Sequence, residues 1–207
     1  MADTIDMVIA ERALLAEYLS ELPDEQWAAA TWCDRWNVQQ VVGHMVAAAN
    51  ITAPHFAGAL IKNGFSFDKV VSSDLVSYAA GSPAEVLGRF KGIISSRRKP
   101  PGPAYVALGE VMCHGEDIRR ALGSAPGGHP AEHLRTVGNA YVKTGRPLRG
   151  KVRAEGLKLT ATDIDWSAGE GPEVRGPAMS LILAVVGRRG VLADLEGPGM
   201  TTLGGRL

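Results

Sequence analysis

Three side chains in this sequence, His44, Glu110 and His114, have the chemistry and spacing to share one divalent cation. Glu110 and His114 lie four positions apart in the stretch GEVMCHGED, residues 109–117. Four residues advance an α-helix by about 400°, so the two heads lie one turn apart on one face, their Cβ atoms about 5–6 Å from each other. That face also carries Val106, Ala107, Ile118 and Ala121, so it points into a hydrophobic interior. A buried carboxylate beside a histidine is costly, and a metal ion is one of the few partners that removes the cost. His44 falls on the stripe of Val41, Ala48 and Ile51, again the core side of its helix. Two imidazole nitrogens and one carboxylate oxygen leave a fourth position open, as in catalytic zinc sites, where the ion lowers the pKa of the ligand that fills it. On spacing alone, a helical Glu-x-x-x-His is also an ordinary surface pair, and a single core histidine is commonly just hydrogen-bonded.

The elements that must hold these residues are mostly helical. Ile5, Val8, Ile9, Leu15 and Leu19 share a stripe over Ile5–Leu22, ahead of Pro23. Asn37 is placed to cap a helix from Val38 to about Pro54 or a turn beyond, with Val38, Val41, Met45, Ala48, Ile51 and Thr52 towards the core. A short helix is expected over Phe67–Ala80, and another from Pro83 to the basic run Arg97-Arg98-Lys99, whose charges complement a helix C-terminus. After the breaker at residues 100–103, a helix runs from Pro103 to Leu122 and stops at Gly123. A further helix is expected over Pro130–Thr144. Beyond Pro147 the texture changes. Leu157, Leu159 and Ala161 alternate with polar residues, as in a strand, and WSAGEGPEVRG reads as a hairpin. Pro177–Val186 is a short apolar helix ended by Gly187. These textures place a boundary near residue 148, between a helical domain over 1–147 and a small α/β domain over 148–207.

Several other residues have two readings. Asp117 either orients His114 or forms a salt bridge with Arg120 or Arg35. Cys113 and Cys33 read as packing residues. Arg12 falls within the apolar stripe of the first helix, either with its head in water or reaching a ligand carboxylate. His129 and His133 imitate ligand spacing, but Pro130 lies between them and they read as surface residues. His55 is about three helical turns from His44, too far to share its ion. Asp163 and Asp165 read as turn or surface residues.

Composition narrows the function. The 22 basic and 22 acidic residues balance, which argues against nucleic acid or an anionic membrane as the main partner. No apolar run reaches the length of a membrane span, about 18 residues, and no signal peptide is expected at MADTIDM. Two cysteines are too few for a disulfide framework, and a reducing, cytoplasmic setting is expected.

The segment TWCDRWNVQQVVGHM, residues 31–45, resembles the T-x-C-x-x-W-x-V-x-x-V-V-x-H signature of the mycothiol-dependent maleylpyruvate isomerase family, whose members are DinB-like helical bundles. GEVMCHGEDIRRALG resembles that family's second ligand helix, and residues 156–190 resemble its small C-terminal domain. The resemblance implies a four-helix bundle that binds zinc, or another divalent metal, through His44, Glu110 and His114. It implies mycothiol as co-substrate, its thiolate filling the open metal position. The family's active-site arginine falls on Arg188, with Arg189 beside it. Asp34-Arg35 stands before Trp36 where the family commonly has Pro-Gly, so substrate identity does not carry over. The implied activity is S-transfer to, or isomerisation of, a small electrophilic substrate. The competing reading is a non-catalytic DinB-like metal- or ligand-binding protein, which has less need of residues 148–207. A DNA-binding regulator is disfavoured by the charge balance and by the lack of a basic recognition helix.

Overall fold

The computed structural model describes residues 3–33, 36–64 and 77–207. The chain is mainly helical with one three-stranded sheet, and it divides into two compact units, residues 1–128 and 129–207. Among the described residues no helix is long and apolar enough to cross a membrane.

The first unit contains α1 (Thr4–Ser20), a 3-10 turn (Asp24–Ala28), α2 (Val38–Asn50), α3 (Ala53–Lys62), α4 (Pro83–Gly92) and α5 (Ala104–Ala121). Both α1 and α2 pack against α4 and against α5, which makes a four-helix bundle. Leu15, Leu19, Val41, Val86, Phe90, Leu108, Met112 and Ile118 fill its core. Each start is chemically marked. Asn37 and Gln40 form a reciprocal capping box on α2, and Ser82 with Glu85 does the same for α4. A Cβ on Gly43 would lie 2.7 Å from that of Ala79, so only glycine lets α2 come this close to the segment before α4. Gln39 binds the same segment, donating to the carbonyls of Ala79 and Gly81.

Three expectations for this unit change. Helix α2 ends at Asn50 because Ile51 is extended, and Thr52 is exposed and caps α3 rather than facing the core. The head of Arg12 does not lie in water: it is 2% exposed, and its Nη1 donates to the carbonyls of Ile93 (3.0 Å) and Ser96 (2.8 Å). Those carbonyls follow the last turn of α4, where helix acceptors lack intrahelical partners, so Arg12 laces α1 to the end of α4. Arg97 pairs with Asp3 and Asp6. The helix expected over Phe67–Ala80 falls largely outside the described residues.

The second unit holds α6 (Ala131–Tyr141), α7 (Gly150–Ala154), β1 (Lys158–Ala161), β2 (Ser167–Ala168), β3 (Glu173–Gly176), α8 (Ala178–Val185), a 3-10 turn (Arg189–Asp194) and α9 (Met200–Gly204). Helix α8 is buried along its whole length, against α6, α7, β1, β3 and the 3-10 turn. Helix α6, which the sequence groups with the bundle, packs here. Gly138 leaves room for Trp166, whose ring would lie 2.7 Å from an added Cβ, and Trp166 Nε1 donates to Asn139 Oδ1 at 2.9 Å. The compact division thus falls near residue 128 rather than 148.

WSAGEGPEVRG is not a hairpin. Its arms, β2 and β3, flank β1 on opposite edges in the order β2-β1-β3, with β1–β2 antiparallel and β1–β3 parallel. The register Leu159↔Val174 puts two fully buried side chains side by side, a gain that pairing β2 with β3 would forgo. Asp163 Oδ1 accepts from the amide of Ala178 and so caps α8. His133 is 7% exposed, a core residue rather than a surface one, because it falls on the same face of α6 as Val137.

Candidate metal centre

The centre is built on α2 and α5. The Asn37 cap fixes where α2 begins, and His44 follows two turns later on its boundary with α5. His44 Nε2 lies 2.9 Å from Glu110 Oε2, and His114 Nε2 lies 3.4 Å from the same oxygen. The two imidazoles meet edge to face, centroids 5.2 Å apart. All three donor atoms fall within 4.8 Å of one another. Ligand atoms around a tetrahedral zinc with bonds of 2.0–2.1 Å are separated by about 3.3 Å, so this nitrogen–nitrogen–oxygen set fits such an ion.

The surroundings prepare the donors. His114 Nδ1 lies 3.1 Å from Asp117 Oδ2, and the Asp117 side chain is fully buried. With Asp117 accepting from Nδ1–H, Nε2 is the ring nitrogen that faces Glu110 and His44. Asp117 thus stands against His114, as the first of its two sequence readings has it, and Arg120 pairs with Glu116. Arg35 lies outside the described residues. Burial alone would raise the Glu110 carboxyl, but hydrogen bonds from His114 and His44 and their charges hold it well below the usual carboxylate range. Burial would lower His114, yet hydrogen bonds to Asp117 and Glu110 push it up to about 9. Two carboxylates thus flank one imidazole. Met45, Ala48, Ala107 and Val111 wall a small cleft running from Glu110 to Arg12, so the approach on that side is apolar.

The loop before α2 covers the centre. Trp32 N donates to the backbone carbonyl of Asp117 at 3.1 Å. The Trp36 ring lies 4.7 Å from that of His44 and 6.1 Å from that of His114, centroid to centroid. Cys33, read from sequence as packing, comes within 4.8 Å of donor atoms on His114 and Asp117, whereas Cys113 is buried as expected. The signal for this loop was present in sequence, since Cys33 and Trp36 both belong to the signature, but only the fold brings them onto α5.

His44, Glu110 and His114 therefore come together, and His55 is exposed on α3. Arg188 lies in the second unit, just after Gly187, whose φ of 100° ends α8. Its amide donates to the Leu183 carbonyl at 2.9 Å. Arg188 is half-buried and Arg189 exposed, which separates two neighbours that the sequence could not.

Residues 8–100 match the family model described as "Mycothiol maleylpyruvate isomerase N-terminal domain", a span that includes Trp36 and His44 and ends before Glu110. No curated protein sequence matches the chain. Among solved structures, the chain is similar to the crystal structure of a mycothiol-dependent maleylpyruvate isomerase, with a TM-score of 0.64 and 13% identity over 94% of this chain and 91% of that one. A histidine-to-alanine mutant of a mycothiol-dependent maleylpyruvate isomerase aligns over the same shares, with a TM-score of 0.58 and 12% identity. Residues 8–100 thus resemble the N-terminal domain of mycothiol maleylpyruvate isomerases, and the fold is shared with two solved structures along nearly the whole chain.

Proposed function

We propose that this chain is a zinc-dependent enzyme that uses mycothiol as thiol co-substrate to isomerise, or to transfer sulfur to, a small electrophilic substrate. The observation that carries the reading is the convergence of His44 Nε2, His114 Nε2 and the Glu110 carboxylate, with Asp117 behind His114. These three residues would hold the ion, and a fourth position would remain for a ligand. When bound, zinc supplies a Lewis acid that keeps a thiol deprotonated at neutral pH. His44 and His114 give neutral nitrogens, Glu110 gives the one anionic oxygen, and Asp117 keeps the Nδ1 proton of His114 in place. The apolar walls of Met45, Ala48 and Val111 lower the local dielectric and strengthen each of these interactions. Arg188 is proposed to pair with a carboxylate of the electrophile, where a fixed guanidinium offers two parallel hydrogen bonds. The acceptor would be a small anionic electrophile, in a reducing, cytoplasmic setting that keeps Cys33 and Cys113 as free thiols.

Thermal unfolding of metal-loaded and metal-free protein with mycothiol tests the reading. Mycothiol at about 100 times its Kd should stabilise the loaded protein by about 2.7 kcal/mol and leave the metal-free protein unchanged. Equal shifts in the two forms, or none at saturating thiol, would refute metal-dependent thiol capture.

A further inference from the structure

The signature loop does more than lead into α2. Its backbone is cross-braced: Thr31 Oγ1 donates to the Trp36 carbonyl at 2.8 Å, Thr31 N donates to the same oxygen at 3.2 Å, and Trp36 N donates to the Cys33 carbonyl at 2.9 Å. Thr31 is 8% exposed, so these bonds are shielded from competing water. Asn37, the next residue, is the α2 cap, which ties the loop to the helix bearing His44. Trp36 itself is half-buried, with its ring inclined 36° to the His44 imidazole at 4.7 Å, a tilted stack, and 6.1 Å from His114. One indole therefore contacts one imidazole and lies near a second, on a residue held by these backbone hydrogen bonds. The geometry points to Trp36 as a positioning residue of the metal centre, one that fixes the plane of His44 and covers the bound ion with an aromatic wall. This rests on the zinc reading above.

The stack restricts rotation of His44 about its side-chain bonds, so part of the ordering that binding needs is present beforehand. It also replaces water on that side of the ligand rings with a polarisable apolar surface, which slows escape of the ion. Trp32 contacts α5 at Asp117 and lies near Arg120 rather than over the ligand rings, so it serves as a control.

The test titrates metal-free protein with Co²⁺ and with Zn²⁺, following tryptophan fluorescence and the visible absorption of the cobalt form. In the wild type, Co²⁺ should quench part of the emission. Trp36→Phe should lose that metal-dependent quenching while binding within about threefold of wild type, because a phenyl ring still stacks. Trp32→Phe should keep the quenching. Trp36→Ala should bind Zn²⁺ about tenfold more weakly and alter the cobalt spectrum, with far-UV circular dichroism confirming that the bundle is intact. Quenching that persists unchanged in Trp36→Phe, or wild-type affinity in Trp36→Ala, would overturn the inference while leaving the zinc site standing. Absence of metal binding in the wild type would instead remove the zinc reading, and this inference with it.

Discussion

Replacing Asp117 by asparagine takes one negative charge from behind His114 while nearly preserving the shape of a side chain that is fully buried. The amide oxygen can still accept from Nδ1–H, so the tautomer is kept, but the charge that makes the imidazole a better donor is gone. Loss of such an outer partner lowers metal affinity by about 10- to 100-fold, or about 1.4–2.7 kcal/mol. The 3.1 Å contact and the burial of Asp117 argue for the upper half of that range. A second effect runs the other way. Asp117 helps hold His114 near 9 in the metal-free protein, so at pH 7 a proton competes with the ion by a factor of about 100. The variant relaxes this competition. The deficit of Asp117→Asn should therefore be small near pH 7 and should widen to its full 10- to 100-fold as pH approaches 9. Competition against a chelator of known zinc affinity, at several pH values, measures it. A ratio of wild-type to variant affinity that stays constant across that range would refute the two-effect reasoning. Wild-type affinity at every pH would refute the role of Asp117 altogether.

His44→Ala or His114→Ala should each reduce bound zinc from about one equivalent to near zero in a folded bundle, as read by elemental analysis; full occupancy in both would discard the ligand set. Arg188→Ala should lower turnover of an anionic electrophile by at least about tenfold with metal content unchanged, and Arg189→Ala should not; wild-type turnover in Arg188→Ala would remove Arg188 from the chemistry. In the metal-free protein His114 is raised from an ordinary 6.5 to about 9. Its contribution to stability is thus complete below about pH 6.5 and lost as pH rises through 9, so the metal-free melting temperature should fall over that interval. A flat profile there would contradict the ion pairing with Glu110 and Asp117.

The juxtaposition of the candidate ligands was legible because helical spacing is a rigid constraint. Glu110 and His114 could only share a face, and Asn37 set the phase of α2 and hence of His44. What escaped depended on long-range partners. Asp117 had several plausible partners on spacing alone, and only the fold set the buried carboxylate against His114 Nδ1. Arg12 sits in an apolar stripe for a reason no local pattern carries: its acceptors, Ile93 and Ser96, are more than 80 residues away. The edges of the sheet misled for a similar reason, since a Gly- and Pro-rich turn signals reversal but not which neighbour each arm will pair with. Helix α6 was grouped with the bundle because a helix carries no mark of its packing partner until Trp166 is seen lying on Gly138.

His44 and Glu110 are 66 residues apart in the chain, and a single ion held between them would act as a cross-link between α2 and α5. An ion that binds this pair in the folded chain and not in the unfolded one stabilises the fold by the free energy of its binding. Release of the ion would then loosen the bundle as well as silence the centre. Protein that lost its zinc would open between these helices more often and be degraded sooner, so the lifetime of the chain in a cell would follow the metal supply.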